Sequence, residues 1–170
     1  MKPSDAYKFC LLCGGTLEPK ESYFNCMLCG HREYINPKAA NGVILENEKG
    51  EILLVKRKGD PKKGYYDVPG GFIDAYETLE TSVKREIKEE LGLEIEMTQI
   101  IDGYSDTYLF DGIEYPTLNI MVAAKIISGE PTPSDDIDGY QYFSKEEVLK
   151  QKIAFPTVTQ GIKDYLKLNS

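Results

Sequence analysis

Residues 71–93 read GFIDAYETLETSVKREIKEELGL and follow directly on Pro69 and Gly70; the fold turns on this stretch. From Glu77 onward the composition changes to helix formers, and Leu79, Val83, Ile87 and Leu91 recur every fourth position as an apolar stripe. The spacing predicts an amphipathic helix over 77–91, stopped at Gly92. Glu86, Glu89 and Glu90 fall on that helix. At about 100° per residue, 86 and 90 nearly superpose and 89 lies about 60° to the other side of 86, so three carboxylates crowd one edge. Like charges at these spacings weaken an isolated helix, so either solvent absorbs them or a cation compensates them. Oxygen ligands with no histidine or cysteine nearby favour magnesium or manganese over zinc.

Upstream, apolar residues in 42–45 and 52–55 flank the turn-rich ENEKGE segment and predict a β-hairpin. Lys56, Arg57 and Lys58 follow, then a loop with Gly59, Pro61 and Gly64. Downstream, strands are expected around 99–101, 117–127 and 141–143, and a closing helix over 158–168. Hairpins mixed with long connections predict an α+β fold, an α/β/α sandwich on a mixed β-sheet rather than a doubly wound parallel one.

All four cysteines lie in the first 29 residues as two CxxC pairs, Cys10 with Cys13 and Cys26 with Cys29. Two intervening residues let one tight turn present both sulfurs to a single ion, and two such turns complete a tetrahedral shell for zinc. Gly14 and Gly30 follow each pair and suit the backbone of a knuckle. A four-sulfur shell has no open position, so this zinc is expected to be structural, and His31 is expected to be a surface residue beside the knuckle. The stretch with Lys20, Glu21, Tyr23 and Phe24 reads as short strands of a zinc ribbon. Asn36 and Pro37 mark the expected boundary, giving a zinc ribbon over 1–36 and a second domain over 37–170.

The chain has 170 residues and a net charge of -8. That balance argues against a generally basic nucleic-acid surface, although a local patch can hide inside an acidic average. No apolar run reaches membrane-spanning length, and the start MKPSDAYKF lacks the apolar stretch of a signal peptide, so the expected location is the cytoplasm. An acidic protein that handles phosphates needs divalent cations to bridge the two.

Gly71, five residues, Glu77, seven residues, then Arg85, Glu86, Ile87, Lys88, Glu89, Glu90, Leu91, Gly92 and Leu93 resemble the Nudix box, and the likeness extends over about 38–165. The resemblance implies a Nudix-type α/β/α sandwich and a Mg2+- or Mn2+-dependent hydrolase. Such an enzyme splits the phosphoanhydride of a nucleoside-diphosphate-linked substrate, ADP-ribose, NADH-like or related, with metal-activated water. By the same resemblance the metal ligands are a backbone carbonyl near Gly70 together with Glu86, Glu89 and Glu90. Glu86 or Glu89 is the base, and Arg85 with Glu77 is a positioning pair. A further acid, counted with the metal ligands, is expected in a downstream loop at Asp136, with Asp135 and Asp138 as competitors. Arg57 and Tyr108 are candidate substrate contacts, and a homodimer is expected. The zinc ribbon before the box is similar to the arrangement of NADH pyrophosphatases, but their SQPWPFP segment has no counterpart, the chain reading YSDTYLFDGIEYPTLNI there. Two other readings stand beside hydrolysis of a free dinucleotide: a nucleotide-sensing regulator that uses the ribbon as a contact module, and an RNA-cap or dinucleoside-polyphosphate hydrolase.

Overall fold

The structure, a computed structural model, describes residues 1–134 and 137–169 and divides into two compact units. The first comprises residues 1–38 and 106–117, the second the remaining described residues. In the first unit a short helix α1 (Pro3–Ala6) precedes β1 (Leu17–Pro19), β2 (Tyr23–Cys26) and β3 (Arg32–Tyr34). They form an antiparallel sheet in the order β1-β2-β3, with Leu17 opposite Cys26 and Phe24 opposite Glu33. Its core is small: Cys10, Leu17, Phe24 and Cys26, with Ile35 packed against them. Residues 106–117 count with this unit because the Met1 ammonium donates to the Gly112 carbonyl at 2.6 Å and Lys38 lies over the Tyr115 ring at 4.9 Å.

The second unit is built on β4 (Lys38–Glu46) from Ala39 on, β5 (Ile52–Arg57), β6 (Tyr66–Asp67), β7 (Glu94–Phe110) as far as Ser105, β8 (Ile113–Ser128) from Leu118 on and β9 (Ile137–Phe143), with α2 (Leu79–Leu91) and α3 (Pro156–Leu168). The strand order is β6-β5-β4-β8-β7, with β9 antiparallel along β5. Alternate residues of β4 and β5 point to opposite faces. Val43, Leu45, Leu53 and Val55 pack with Val83, Ile87 and Leu91 of α2. Ile44, Ile52 and Leu54 pack with Val158 and Ile162 of α3. Because both faces are covered, the strands read as unbroken apolar runs instead of alternating ones. Each such side chain, fully buried, stabilises the fold by about 1.5–3 kcal/mol. The α/β/α sandwich expected from the sequence is therefore present. No helix among the described residues is long and apolar enough to cross a membrane.

Element boundaries differ from the sequence expectations for physical reasons. Helix α2 begins at Leu79, not Glu77, because Thr78 is its cap: its hydroxyl accepts from Thr81 N at 3.2 Å, and its own amide donates to Thr81 Oγ1 at 2.9 Å. It ends as expected at Gly92, which is left-handed at φ 70. Helix α3 begins at Pro156, two residues early, since a proline in the first turn gives up no hydrogen bond. The strand expected at 99–101 runs from 94 to 110, and its partner from 113 to 128. Little of β7 is buried, so hydrophobic periodicity could not reveal a strand that the backbone ladder to β8 holds.

Asp164 on α3 accepts from Tyr104 Oη of β7 at 3.0 Å, from Gln160 at 2.8 Å and from Lys167 at 3.0 Å. These donors, Gln160 first, hold its carboxyl at about 2 rather than 3.8. The unfolded chain therefore binds the proton more readily. The contribution to stability is complete above pH 3.8 and is lost as the pH falls through about 2. Asp164→Asn is expected to flatten the fall of Tm between pH 4 and pH 2 relative to the parent chain, read by differential scanning calorimetry. Equal slopes would remove this residue from the acid response.

Candidate active site and metal centre

The loop that enters α2 is zipped onto β4. Val43 N donates to Pro69 O at 2.9 Å, Asn41 N to Gly71 O at 2.8 Å and Ile73 N to Ala39 O at 3.0 Å. This pairing carries Gly70 and Gly71 across the edge of α2 that bears the glutamates. Gly70 N donates to Glu90 Oε2 at 2.9 Å. Gly71 lies so close to Glu86 that a Cβ there would sit 2.7–2.8 Å from all three carboxylate atoms. Gly70 has φ 139, and a Cβ on it would lie 2.5 Å from the Asn41 carbonyl oxygen. At Gly70 the obstacle is backbone and no other residue fits, whereas a side chain at Gly71 would push the Glu86 carboxylate aside.

Arg85 organises the acids. Its Nε and Nη2 grip Glu77 at 2.8 and 2.9 Å, Nη1 donates to Glu86 Oε1 at 2.8 Å and to Glu89 Oε2 at 3.1 Å, and Nη2 also reaches the Phe72 carbonyl at 3.1 Å. The Arg85 guanidinium holds the Glu77 carboxyl down at about 2. Burial raises Glu86 above the usual carboxylate range, against the opposing pull of Arg85. Glu86 is 14% exposed at its side chain and Glu89 61%. The box residues Gly70, Glu77, Arg85, Glu86, Glu89 and Glu90 are thus brought together on one loop–helix junction. The glutamates and the loop carbonyls offer only hard oxygens, and the glycines clear the space a Cβ would fill, which suits a divalent cation of the magnesium type; in this structure Arg85 and the Gly70 amide, not a common centre, hold the carboxylates.

Other expected contacts are placed differently. Arg57 is committed within the protein: Nε donates to the Pro61 carbonyl at 2.8 Å, Nη1 pairs with Asp67 at 2.9 Å, and the guanidinium lies over Phe155 at 5.2 Å. Burial pushes Asp67 up to about 6, while Arg57 pulls the other way. Tyr108 is half-buried in the first unit, and Asp138 is exposed on β9. Asp136 and its competitor Asp135 lie outside the described residues. Two buried polar residues at the junction, Asn41 and Ser82, had no signal in the sequence except polarity inside apolar runs.

In the first unit the four sulfurs gather within 4.8 Å of one another. Cys13 and Cys26 are 3.5 Å apart and Cys10 and Cys29 4.0 Å, close to the edge of about 3.8 Å that a tetrahedron with zinc–sulfur bonds near 2.3 Å requires. Gly14 and Gly30, at φ 72 and 74, turn their amides onto the Cys10 and Cys26 carbonyls at 2.9 and 3.0 Å. The Cys29 amide donates to Cys26 Sγ at 3.5 Å, a backbone bond that favours the thiolate a metal needs. The four-cysteine set fits zinc. His31 is a partly exposed neighbour, 3.3 Å from Glu33. Among the described residues no acidic group is gathered in the same way.

A NUDIX domain family model matches residues 36–161. An ADP-ribose pyrophosphatase from Methanocaldococcus jannaschii is 34% identical over 137 residues, 81% of this chain and 78% of that protein. A NAD-capped RNA hydrolase NudC from Salmonella heidelberg is 34% identical over 90 residues, 53% of this chain but only 35% of its own length. The crystal structure of a NUDIX hydrolase from Nitrosomonas europaea superposes with a TM-score of 0.76 at 27% identity, over 95% of this chain and 91% of that one. With the loop, the helix and its acids in place and the family matched over most of its length, the chain belongs to the NUDIX family of hydrolases.

Proposed function

We propose that the chain is a Mg2+-dependent pyrophosphatase that cleaves the phosphoanhydride of an ADP-ribose-like nucleoside diphosphate into a nucleoside monophosphate and a phosphorylated remainder. The observation that carries this reading is the junction at Gly70 and Gly71, where one glycine amide holds Glu90 and the other glycine stands against Glu86. The likeness to an ADP-ribose pyrophosphatase supports the substrate class.

Glu86, Glu89 and Glu90, with the Gly70 carbonyl, are the residues that would hold the cation. When bound, it neutralises the diphosphate and lowers the pKa of water. The carboxylate of Glu86, set against Gly71 at the junction, suits the base that accepts the proton of the attacking water. Water adds across one phosphorus–oxygen bond, and the bridging oxygen leaves on the second phosphate. Arg85 keeps Glu86 and Glu89 in register while its charge is offset by Glu77. The four cysteines would bind one structural zinc. Asp136 is retained as the proposed distal acid, and Tyr108 and the remaining donors of Arg57 as proposed substrate contacts.

The NudC likeness favours a second reading, in which the same anhydride lies at the NAD-derived end of an RNA. A panel of ADP-ribose, NADH, dinucleoside polyphosphates and NAD-capped RNA, incubated with Mg2+ and followed by product chromatography, separates the two. ADP-ribose turned over at least about tenfold more efficiently than the other substrates is the expected result. A preference for capped RNA would move the assignment to the second reading, and no turnover of any member would end both. Light scattering on the same preparation tests the homodimer.

A further inference from the structure

Asn41 lies on β4 at 4% exposure, on the α2 face of the sheet, where the next two residues on that face are Val43 and Leu45. An apolar side chain would satisfy that face with no polar group to accommodate. Asn41 Nδ2 instead donates to Ser82 Oγ at 3.0 Å, and Ser82 is fully buried. The Ser82 hydroxyl also accepts from Arg85 Nη2 at 3.4 Å. Nδ2 of Asn41 thus faces Ser82, and Oδ1 faces the loop.

Oδ1 is buried and has no hydrogen-bond partner. Its neighbour is Gly70, where a Cβ would lie 2.9 Å from Oδ1 and 2.5 Å from the Asn41 backbone oxygen. Two oxygens of one residue thus press on the glycine Cα, a contact only Cα–H groups can make. The Asn41 amide meanwhile holds Gly71 O at 2.8 Å. One residue meets both glycines from the strand side and, through Ser82, Arg85 from the helix side. An unsatisfied buried acceptor in this place calls for an explanation other than stability.

We propose that Asn41 is a positioning residue that registers the Gly70–Gly71 loop against α2 and so sets the separation between the glycine backbone and the carboxylates of Glu86 and Glu90. The inference rests on the reading of this junction as a metal-dependent hydrolytic site. Two variants test it: Asn41→Ala, which removes the grip, and Asn41→Leu, which keeps the branched skeleton, with bulkier tips, without the bonds. Ile162→Val, on the α3 face, serves as a destabilised control. Mn2+ alone is titrated into each substrate-free protein by electron paramagnetic resonance, Tm is recorded, and kcat and KM are measured on the substrate the panel identifies. Both Asn41 variants are expected to bind Mn2+ at least about fivefold more weakly and to lose about 10- to 100-fold in kcat with KM within about threefold, whatever their Tm, because a small misplacement near the reacting atoms is costly. The control is expected to change Tm alone. Mn2+ affinity and kcat unchanged in Asn41→Ala, or restored by Asn41→Leu along with Tm, would reduce Asn41 to packing and overturn the proposal. If the parent chain hydrolyses nothing, the proposed function fails, while the Mn2+ titration still decides whether Asn41 sets the carboxylate site.

Discussion

Glu90→Gln is expected to lower kcat for the preferred nucleotide by about a hundred- to a thousandfold while leaving the chain folded, the scale of loss when one preorganised electrostatic contact is removed from an active site. Glu90 lies one helical turn beyond Glu86, and its Oε2 accepts from the Gly70 amide at 2.9 Å. The variant keeps the shape of the side chain but removes a unit of negative charge where three carboxylates share one edge. Helix α2 gains from the change, because like charges at that spacing destabilise it. A Tm equal to or above that of the parent, with activity collapsed, separates chemistry from folding. A variant that retains a tenth or more of the parental kcat at saturating Mg2+ would remove Glu90 from the metal site.

The second large effect concerns the first unit. Its core consists of Cys10, Leu17, Phe24 and Cys26 with Ile35 against them, far too little apolar burial to offset the conformational entropy of the ordered chain. A structural zinc contributes about 10–16 kcal/mol in comparable small modules at neutral pH. Cys26 is 1% exposed, so Cys26→Ala removes both a proposed zinc ligand and a core side chain. Hydrogen exchange across 17–34 is expected to become unprotected in that variant or after chelation, with α2 in the same spectra as the internal reference. Elemental analysis of the parent is expected to give one zinc per chain. Protection over 17–34 that survives complete removal of metal would contradict the structural role.

What could be read from the sequence was whatever is written in local periodicity and fixed spacing. The stripe of Leu79, Val83, Ile87 and Leu91 announced α2, Gly92 announced its end, and the paired CxxC spacing announced the sulfur cluster, because each depends on residues within a turn or two of one another. The β7 strand was largely hidden, since its residues alternate between half-exposed and exposed and only pairing with β8 holds them. Arg57 carried no mark of its engagement with Asp67, Pro61 and Phe155; a basic residue at a strand end looks the same whether it faces a substrate or a buried acid. Asn41 and Ser82 lie 41 residues apart, and a bond between such distant residues exists only once β4 and α2 have packed.

The close approach of α3 to the sheet has a chemical consequence. Gly161 and Gly42 both stand against Met121, where a Cβ would come within 2.6 and 2.7 Å of its side chain. Met121 is fully buried between them, so an oxidant in solvent meets its sulfur only when the sandwich opens. Among the methionines, oxidation therefore begins at Met1 and Met27, 65% and 64% exposed, and a sulfoxide at Met121 would record that the sandwich had already opened.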